Sequence, residues 1–162
     1  MLASGTFDTW RSGYGVIQHT PETCERIQSL VSRLAKTGAQ TEIESYGLLA
    51  AADRLTSAVM WVVAHMTYAN KVDLSGAVLS AASFKKAPEG HTGGSLNVAP
   101  AYVGYLAANV LTAQTRAWIL GQGHCVAAIE AANALVGNLS AKQVARYGAD
   151  EAGLSRLCAD FY

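Results

Sequence analysis

The stretch from Ser45 to Tyr68 constrains the fold most, because apolar residues run around most of the circumference of the helix that it predicts. A helix that is apolar on nearly every side is buried in a core or lies in an interface. Asp53 and Arg54 interrupt the stretch, so it falls short of the roughly 20 apolar residues that a membrane span requires. We therefore expect a buried helix, and we expect no membrane partner.

Composition also indicates that much surface is hidden. Charged residues make up only 15% of the 162-residue chain, against about 25% in an average soluble domain. Twelve basic and twelve acidic residues give zero net charge, and no basic run interleaves with aromatic residues. This balance argues against nucleic acid and anionic membrane as partners.

The three cysteines predict neither a disulfide framework nor a zinc site. Cys24, Cys125 and Cys158 are odd in number, widely spaced and outside any C-x-x-C pattern. The first ten residues lack the basic start and the apolar run of a secretory signal. We therefore predict a reduced, cytoplasmic location.

Helix signals dominate the rest of the chain. Residues 1–19 show no sustained period and predict an extended arm, whereas 20–162 predict a single domain. Thr20 and Pro21 predict the start of an amphipathic helix that ends at Gly38. Further helices are predicted from Pro100 to about Ala113, Cys125 to Val136, Ser140 to Tyr147 and Asp150 to Tyr162, with a short buried strand from Thr115 to Leu120. The predicted fold class is mainly α with one or two short strands.

Two glycine-flanked histidines are the main candidates for chemistry. His91 lies in a loop from Glu89 to Asn97 that includes Gly90, Gly93, Gly94 and Ser95, and His124 ends the run Gly121-Gln122-Gly123-His124. Glycine permits close backbone approach to a ligand, and imidazole exchanges protons near neutral pH. A helix start after each run adds free N–H groups. The loops are therefore predicted to bind an anionic ligand.

Structural roles compete with this interpretation. A single glycine-histidine pair is more often a hydrogen-bonded structural histidine, although two such runs in one chain favour a site. His65 lies within the predicted apolar helix, so we expect it to be a core residue. His19 precedes the next predicted helix, and its position fits a structural or a functional role equally. No metal-ligand spacing, G-x-S-x-G elbow or Walker lysine is present.

The ordered pair Gly90-His91-Thr92-Gly93-Gly94-Ser95 and Arg116 to His124 resembles the N-terminal thiamine-diphosphate-binding region of the transketolase and phosphoketolase family, in particular a putative xylulose-5-phosphate epimerase or phosphoketolase-like branch. The resemblance extends from about Tyr14 to the end of the chain. It implies a partial α/β thiamine-diphosphate-binding fold, with His91 and His124 as catalytic residues. His91 would face the sugar phosphate and the reactive carbon of the cofactor, and His124 would lie near the cofactor and the substrate channel. The cofactor-binding residues would be Gly90, Gly93, Gly94, Ser95, Gly121 and Gly123. The resemblance also implies a homo-oligomer or a missing C-terminal portion.

The chain departs from that family where the metal is held. Thr92 replaces the family's proline, and the G-D-G motif and downstream asparagine that hold magnesium and the diphosphate are missing. We therefore predict a truncated N-terminal portion that does not bind thiamine diphosphate or act on ketose phosphates by itself. Two alternatives remain: a non-enzymatic helical module that binds itself or a partner through Ser45 to Tyr68, and a small domain that binds phosphate at the glycine loop.

Overall fold

The computed structural model describes residues 5–162, and these form helices connected by turns and irregular segments. Helices of all types account for 63% of the structure. The α-helices among the described residues are α1 (Phe7–Arg11), α2 (Pro21–Lys36), α3 (Glu42–Tyr68), α4 (Thr92–Thr112), α5 (Val126–Val136), α6 (Ala141–Val144) and α7 (Glu151–Asp160). Short 3₁₀ turns lie at Ala81–Ser83 and Gly123–Cys125.

The predicted partial α/β thiamine-diphosphate-binding fold is wrong, because residues 5–162 contain no strand or sheet. The two β-bridges in this part of the chain, Tyr14 with Ile17 and Ala69 with Phe84, are isolated. The mainly α part of the prediction is confirmed.

The predicted strand from Thr115 to Leu120 is an irregular segment held against the end of α4. The Tyr105 hydroxyl donates to the carbonyl of Arg116, and the Arg116 guanidinium donates to Thr112 Oγ1 at 2.7 Å. Trp118 packs on Tyr105 with ring centroids 5.1 Å apart. A strand needs a neighbouring strand for its backbone groups, and here side chains of the preceding helix take part of that role.

Local capping signals give α2 as predicted. Thr20 Oγ1 accepts from Thr23 N at 3.3 Å, and Pro21 is the first helical residue. The helix ends at Lys36, and Gly38 adopts a φ of 69°. This left-handed conformation suits glycine and stops the helix.

The start of α4 lies eight residues before the predicted start at Pro100, so most of the predicted glycine loop is helical. Pro100 lies inside the helix, where it removes one backbone N–H donor but does not end the helix. Glycines disfavour helix interiors, so contacts made by this turn must stabilise it.

The chain consists of two compact units, and the boundary between them lies between Ser57 and Ala58. In the first, the buried side chains of Trp10, Val31 and Tyr46 form the core. The short helix α1 interrupts the predicted extended arm, in which Met1 to Ser4 lie outside the described residues. The single domain predicted for 20–162 stays a prediction.

In the second unit α4 packs on α5. One face of α5 consists of alanines that are almost completely buried, at Ala127, Ala128, Ala131 and Ala132. Small side chains let the two helix backbones approach closely, and this brings the starts of α4 and α5 together.

The helix α3 is the one described helix that is long and apolar enough to cross a membrane, and 33% of its most apolar window is buried. A core helix of a soluble protein passes the same test, so length and composition alone do not identify a span.

Candidate functional site: the His91–His124 pair

The two predicted catalytic histidines lie side by side. His91 immediately precedes α4, and His124 lies in the 3₁₀ turn that leads into α5. Their ring centroids are 4.5 Å apart, with an angle of 57° between the ring planes. Both residues are exposed. The histidine rings that make hydrogen bonds within residues 5–162 are those of His19 and His65, so neither ring of this pair makes one. The arrangement presents two imidazoles to solvent at one point.

Gly94 explains why the first turn of α4 fits against His124. A Cβ at Gly94 would lie 2.7 Å from Cys125 Sγ and 3.8 Å from His124 Nε2. Cys125 is completely buried, so its sulfur has little room to move. Glycine is therefore required at 94 for close packing.

The other predicted cofactor-binding glycines differ from one another. Gly93, Gly121 and Gly123 have open space where a Cβ would lie. Gly90 has a φ of 117°, and a Cβ there would lie 3.2 Å from the Phe161 ring. Three of these glycines therefore leave room beside the histidines, and Gly90 makes the turn into α4.

The start of α4 has free backbone donors. The N–H groups of Thr92, Gly93 and Gly94 have no acceptor among the described residues, and His91 makes no side-chain cap. Side chains do cap the starts of α1, α2, α3, α6 and α7, through Thr6, Thr20, Thr41, Ser140 and Asp150. Free N–H groups and the helix dipole favour an anion at this end.

Ser95, another predicted cofactor-binding residue, is 1% exposed, and its Oγ has no hydrogen-bond partner in the part of the chain that the structure describes. Its N–H donates to the His91 carbonyl at 3.0 Å, so the two residues lie one helical turn apart. A buried hydroxyl without a partner is costly.

Thr67, which the sequence did not single out, supports this turn by a hydrogen bond from Thr92. Thr92 Oγ1 donates to Thr67 Oγ1 at 3.0 Å, and Thr67 Oγ1 donates to the Val63 carbonyl at 3.2 Å. These bonds tie the start of α4 to the end of α3. A threonine in an apolar helix gave no signal of this role.

Lys85 was likewise missed, because the pair Lys85-Lys86 is typical of a solvated surface. Its ammonium group donates to the Met66 carbonyl at 2.7 Å and to the Phe161 carbonyl. It thus lies at the ends of α3 and α7, where the helix dipoles favour a cation.

Burial lowers the pKa of Lys85. Burial also raises the pKa of the Cys158 thiol to about 11, which the nearby Lys85 partly opposes.

The remaining histidines are structural. His65 Nδ1 lies 2.8 Å from the Trp61 carbonyl in its own helix. His19 Nε2 lies 2.9 Å from Asp53 Oδ2, and its ring stacks on Trp10 at 4.3 Å. Burial raises the pKa of Asp53, and the hydrogen bond from His19 opposes that shift.

In residues 5–162, no group of three or more His, Cys, Asp or Glu side chains could hold a metal ion. In the family that the sequence resembles, such an ion holds the cofactor's diphosphate. The expectation that this chain alone does not bind thiamine diphosphate stays a prediction.

Comparisons of the chain with protein-family models, curated proteins and solved structures find no match.

Proposed function

We propose that the His91–His124 pair binds a phosphorylated sugar and represents the substrate-binding part of an enzyme that acts on ketose phosphates. The observation that carries the proposal is the 4.5 Å separation of two exposed imidazoles that come from glycine runs about 30 residues apart in sequence. The free N–H groups of Thr92, Gly93 and Gly94 lie at the same helix start.

Each group suits one part of such a ligand. Imidazole can donate to or accept from a sugar hydroxyl, and it can exchange a proton with that hydroxyl. Backbone N–H groups at a helix start suit a phosphate. The open space at Gly93, Gly121 and Gly123 leaves room for the ligand to approach the backbone. In this proposal the two histidines orient hydroxyl groups and carry protons.

The binding test is titration of the protein with fructose 6-phosphate, followed by NMR of the histidine ring protons. The ring signals of His91 and His124 should move together, and those of His19 should not. His91→Asn and His124→Asn should each weaken binding up to about 10-fold, because about 1.4 kcal/mol is near the upper limit for one hydrogen bond to a neutral hydroxyl. His65→Asn is the matched control.

Two outcomes would overturn the binding proposal. One is the absence of any shift of the His91 and His124 signals at about 10 mM ligand, which corresponds to an affinity too weak for a specific site. The other is an equal response to fructose and to fructose 6-phosphate, because the phosphate would then contribute nothing.

The same proposal holds that this chain alone does not bind the cofactor. Calorimetry with thiamine diphosphate and Mg²⁺ should give no binding heat, since the described residues lack a metal-ligand cluster. Binding at micromolar strength would contradict this part of the proposal and leave the sugar-phosphate part standing.

Self-association through α3 is a second candidate function. Its most apolar window is only 33% buried, and Trp61 and Tyr68 are 39% and 48% exposed. Sedimentation should then show a dimer that Trp61→Glu dissociates. Leu74→Glu, at an exposed apolar residue outside the helix, is the control, and a monomeric unmodified protein would exclude this candidate.

A further inference from the structure

A cavity of about 1000 Å³ lies between α5, α6 and the end of α7. Four of its lining residues, Val126, Glu130, Asn133 and Ala134, have the three- and four-residue spacing of one helix face. Asn133 of this face also accepts a hydrogen bond from Tyr102 of α4.

Most polar groups that line the cavity already have partners. Arg146 and the Tyr147 hydroxyl both donate to Asp160 Oδ2, at 2.7 and 3.1 Å. Asn133 Oδ1 accepts from the Tyr102 hydroxyl at 2.9 Å and from Asn138 Nδ2 at 3.1 Å. These bonds fix the side chains and leave little capacity for a new ligand.

Three polar side chains of the lining, those of Glu130, Lys142 and Tyr162, have no hydrogen-bond or ion-pair partner among residues 5–162. Lys142 and Tyr162 are exposed, whereas Glu130 is partly buried, and its carboxylate is not within ion-pair distance of Lys142. Burial raises the pKa of Glu130, as expected for a carboxylate that loses solvent and gains no partner.

Leu157 and Phe161 supply apolar walls to the same cavity. A site with apolar walls and one unpaired carboxylate is complementary to a ligand with an apolar body and one positive charge. We infer that this cavity binds an organic cation, such as an arylammonium, whose charge pairs with Glu130. The cavity lining does not include His91 or His124, and the inference does not depend on the sugar-phosphate proposal.

The test uses benzylammonium and its neutral counterpart, benzyl alcohol, in an NMR titration of backbone amides. Benzylammonium should shift amide signals of α5 around Glu130 and of the residues near Phe161, and benzyl alcohol should bind at least about 10-fold more weakly, the value of one charge-assisted bond. Glu130→Gln should remove that preference. Glu25→Gln, at an exposed glutamate of α2, is the matched control.

Equal binding of the two compounds by the unmodified protein would overturn the inference, and so would an unchanged preference in Glu130→Gln. An absence of shifts in α5 would also overturn it. Because the comparison of the two compounds uses the unmodified protein, the result does not depend on whether the variant folds.

Discussion

A largely buried histidine is paired with a carboxylate in residues 5–57, whereas two exposed histidines and a partly buried glutamate in residues 58–162 have no side-chain partner. In the first unit His19 and Asp53 share a bond of 2.9 Å, with side chains only 9% and 14% exposed. In the second, the side chains of His91, His124 and Glu130 make no hydrogen bond within the described residues, and Ser95 Oγ is buried without one. The contrast separates polar groups that hold the fold from groups available to a ligand.

The largest expected effect is from His19→Ala, which removes the partner of a partly buried carboxylate. It should lower the free energy of unfolding by about 2–3 kcal/mol, because the unpaired charge of Asp53 keeps its desolvation cost. His91→Ala should cost less than about 0.5 kcal/mol, as expected for an exposed side chain without partners. Urea unfolding followed by circular dichroism measures both.

Equal decreases in the free energy of unfolding of these two variants would contradict the comparison, because His91 would then stabilise the fold as much as His19 does. A decrease in His91→Ala alone would also contradict it. His124→Ala serves as a second exposed case, and it should behave like His91→Ala.

The next largest effect is the difference in stability between alanine substitutions at two adjacent glycines, Gly93 and Gly94. Gly94→Ala should lower the free energy of unfolding by about 1–2 kcal/mol, because the new Cβ overlaps the buried Cys125 sulfur. Gly93→Ala should be neutral or stabilising by up to about 1 kcal/mol, since alanine favours helix and nothing lies near its Cβ. Thermal unfolding of the two variants gives the difference, and equal midpoints would mean that Gly94 is not a packing position.

These cases show which features the sequence could predict. The helix α2 follows from Thr20, Pro21 and Gly38, which are all local signals. Both histidines were predicted as site residues because glycine runs at helix starts are also local. Their role remains a prediction, although the structure brings the two rings together.

Other features depend on residues far apart in sequence, and local patterns did not reveal them. The early start of α4 is accompanied by the fit of Gly94 on Cys125, 31 positions later, and by the bond from Thr92 to Thr67. The segment from Thr115 to Leu120 has strand-forming residues, yet Arg116 and Trp118 bind side chains of α4 instead. Tertiary contacts override local propensity in both places.

Ser95→Ala tests whether the buried Ser95 hydroxyl lacks a hydrogen-bond partner in the ligand-free protein. In the ligand-free protein the variant should be stabilised by about 1 kcal/mol, because it removes a buried hydroxyl that has no hydrogen bond. Thermal unfolding measures the change, and Ser29→Ala, at an exposed serine of α2, is the control. Destabilisation would mean that this hydroxyl has a partner in solution, such as an ordered water.

The smallest effect concerns Glu130. Burial raises the pKa of Glu130 with no opposing interaction, whereas the hydrogen bond from His19 partly opposes the increase that burial causes in the pKa of Asp53. A carboxyl whose pKa is raised by folding favours the folded state while protonated, so its contribution is lost as pH rises through the folded pKa. Glu130→Gln should therefore raise the free energy of unfolding at pH 7 by less than about 1 kcal/mol, with no gain below about pH 4, the ordinary glutamate pKa. Urea unfolding at the two pH values measures the difference. A gain that persists at the lower pH would assign the effect to packing, and a loss at pH 7 would show that the Glu130 carboxylate is paired after all.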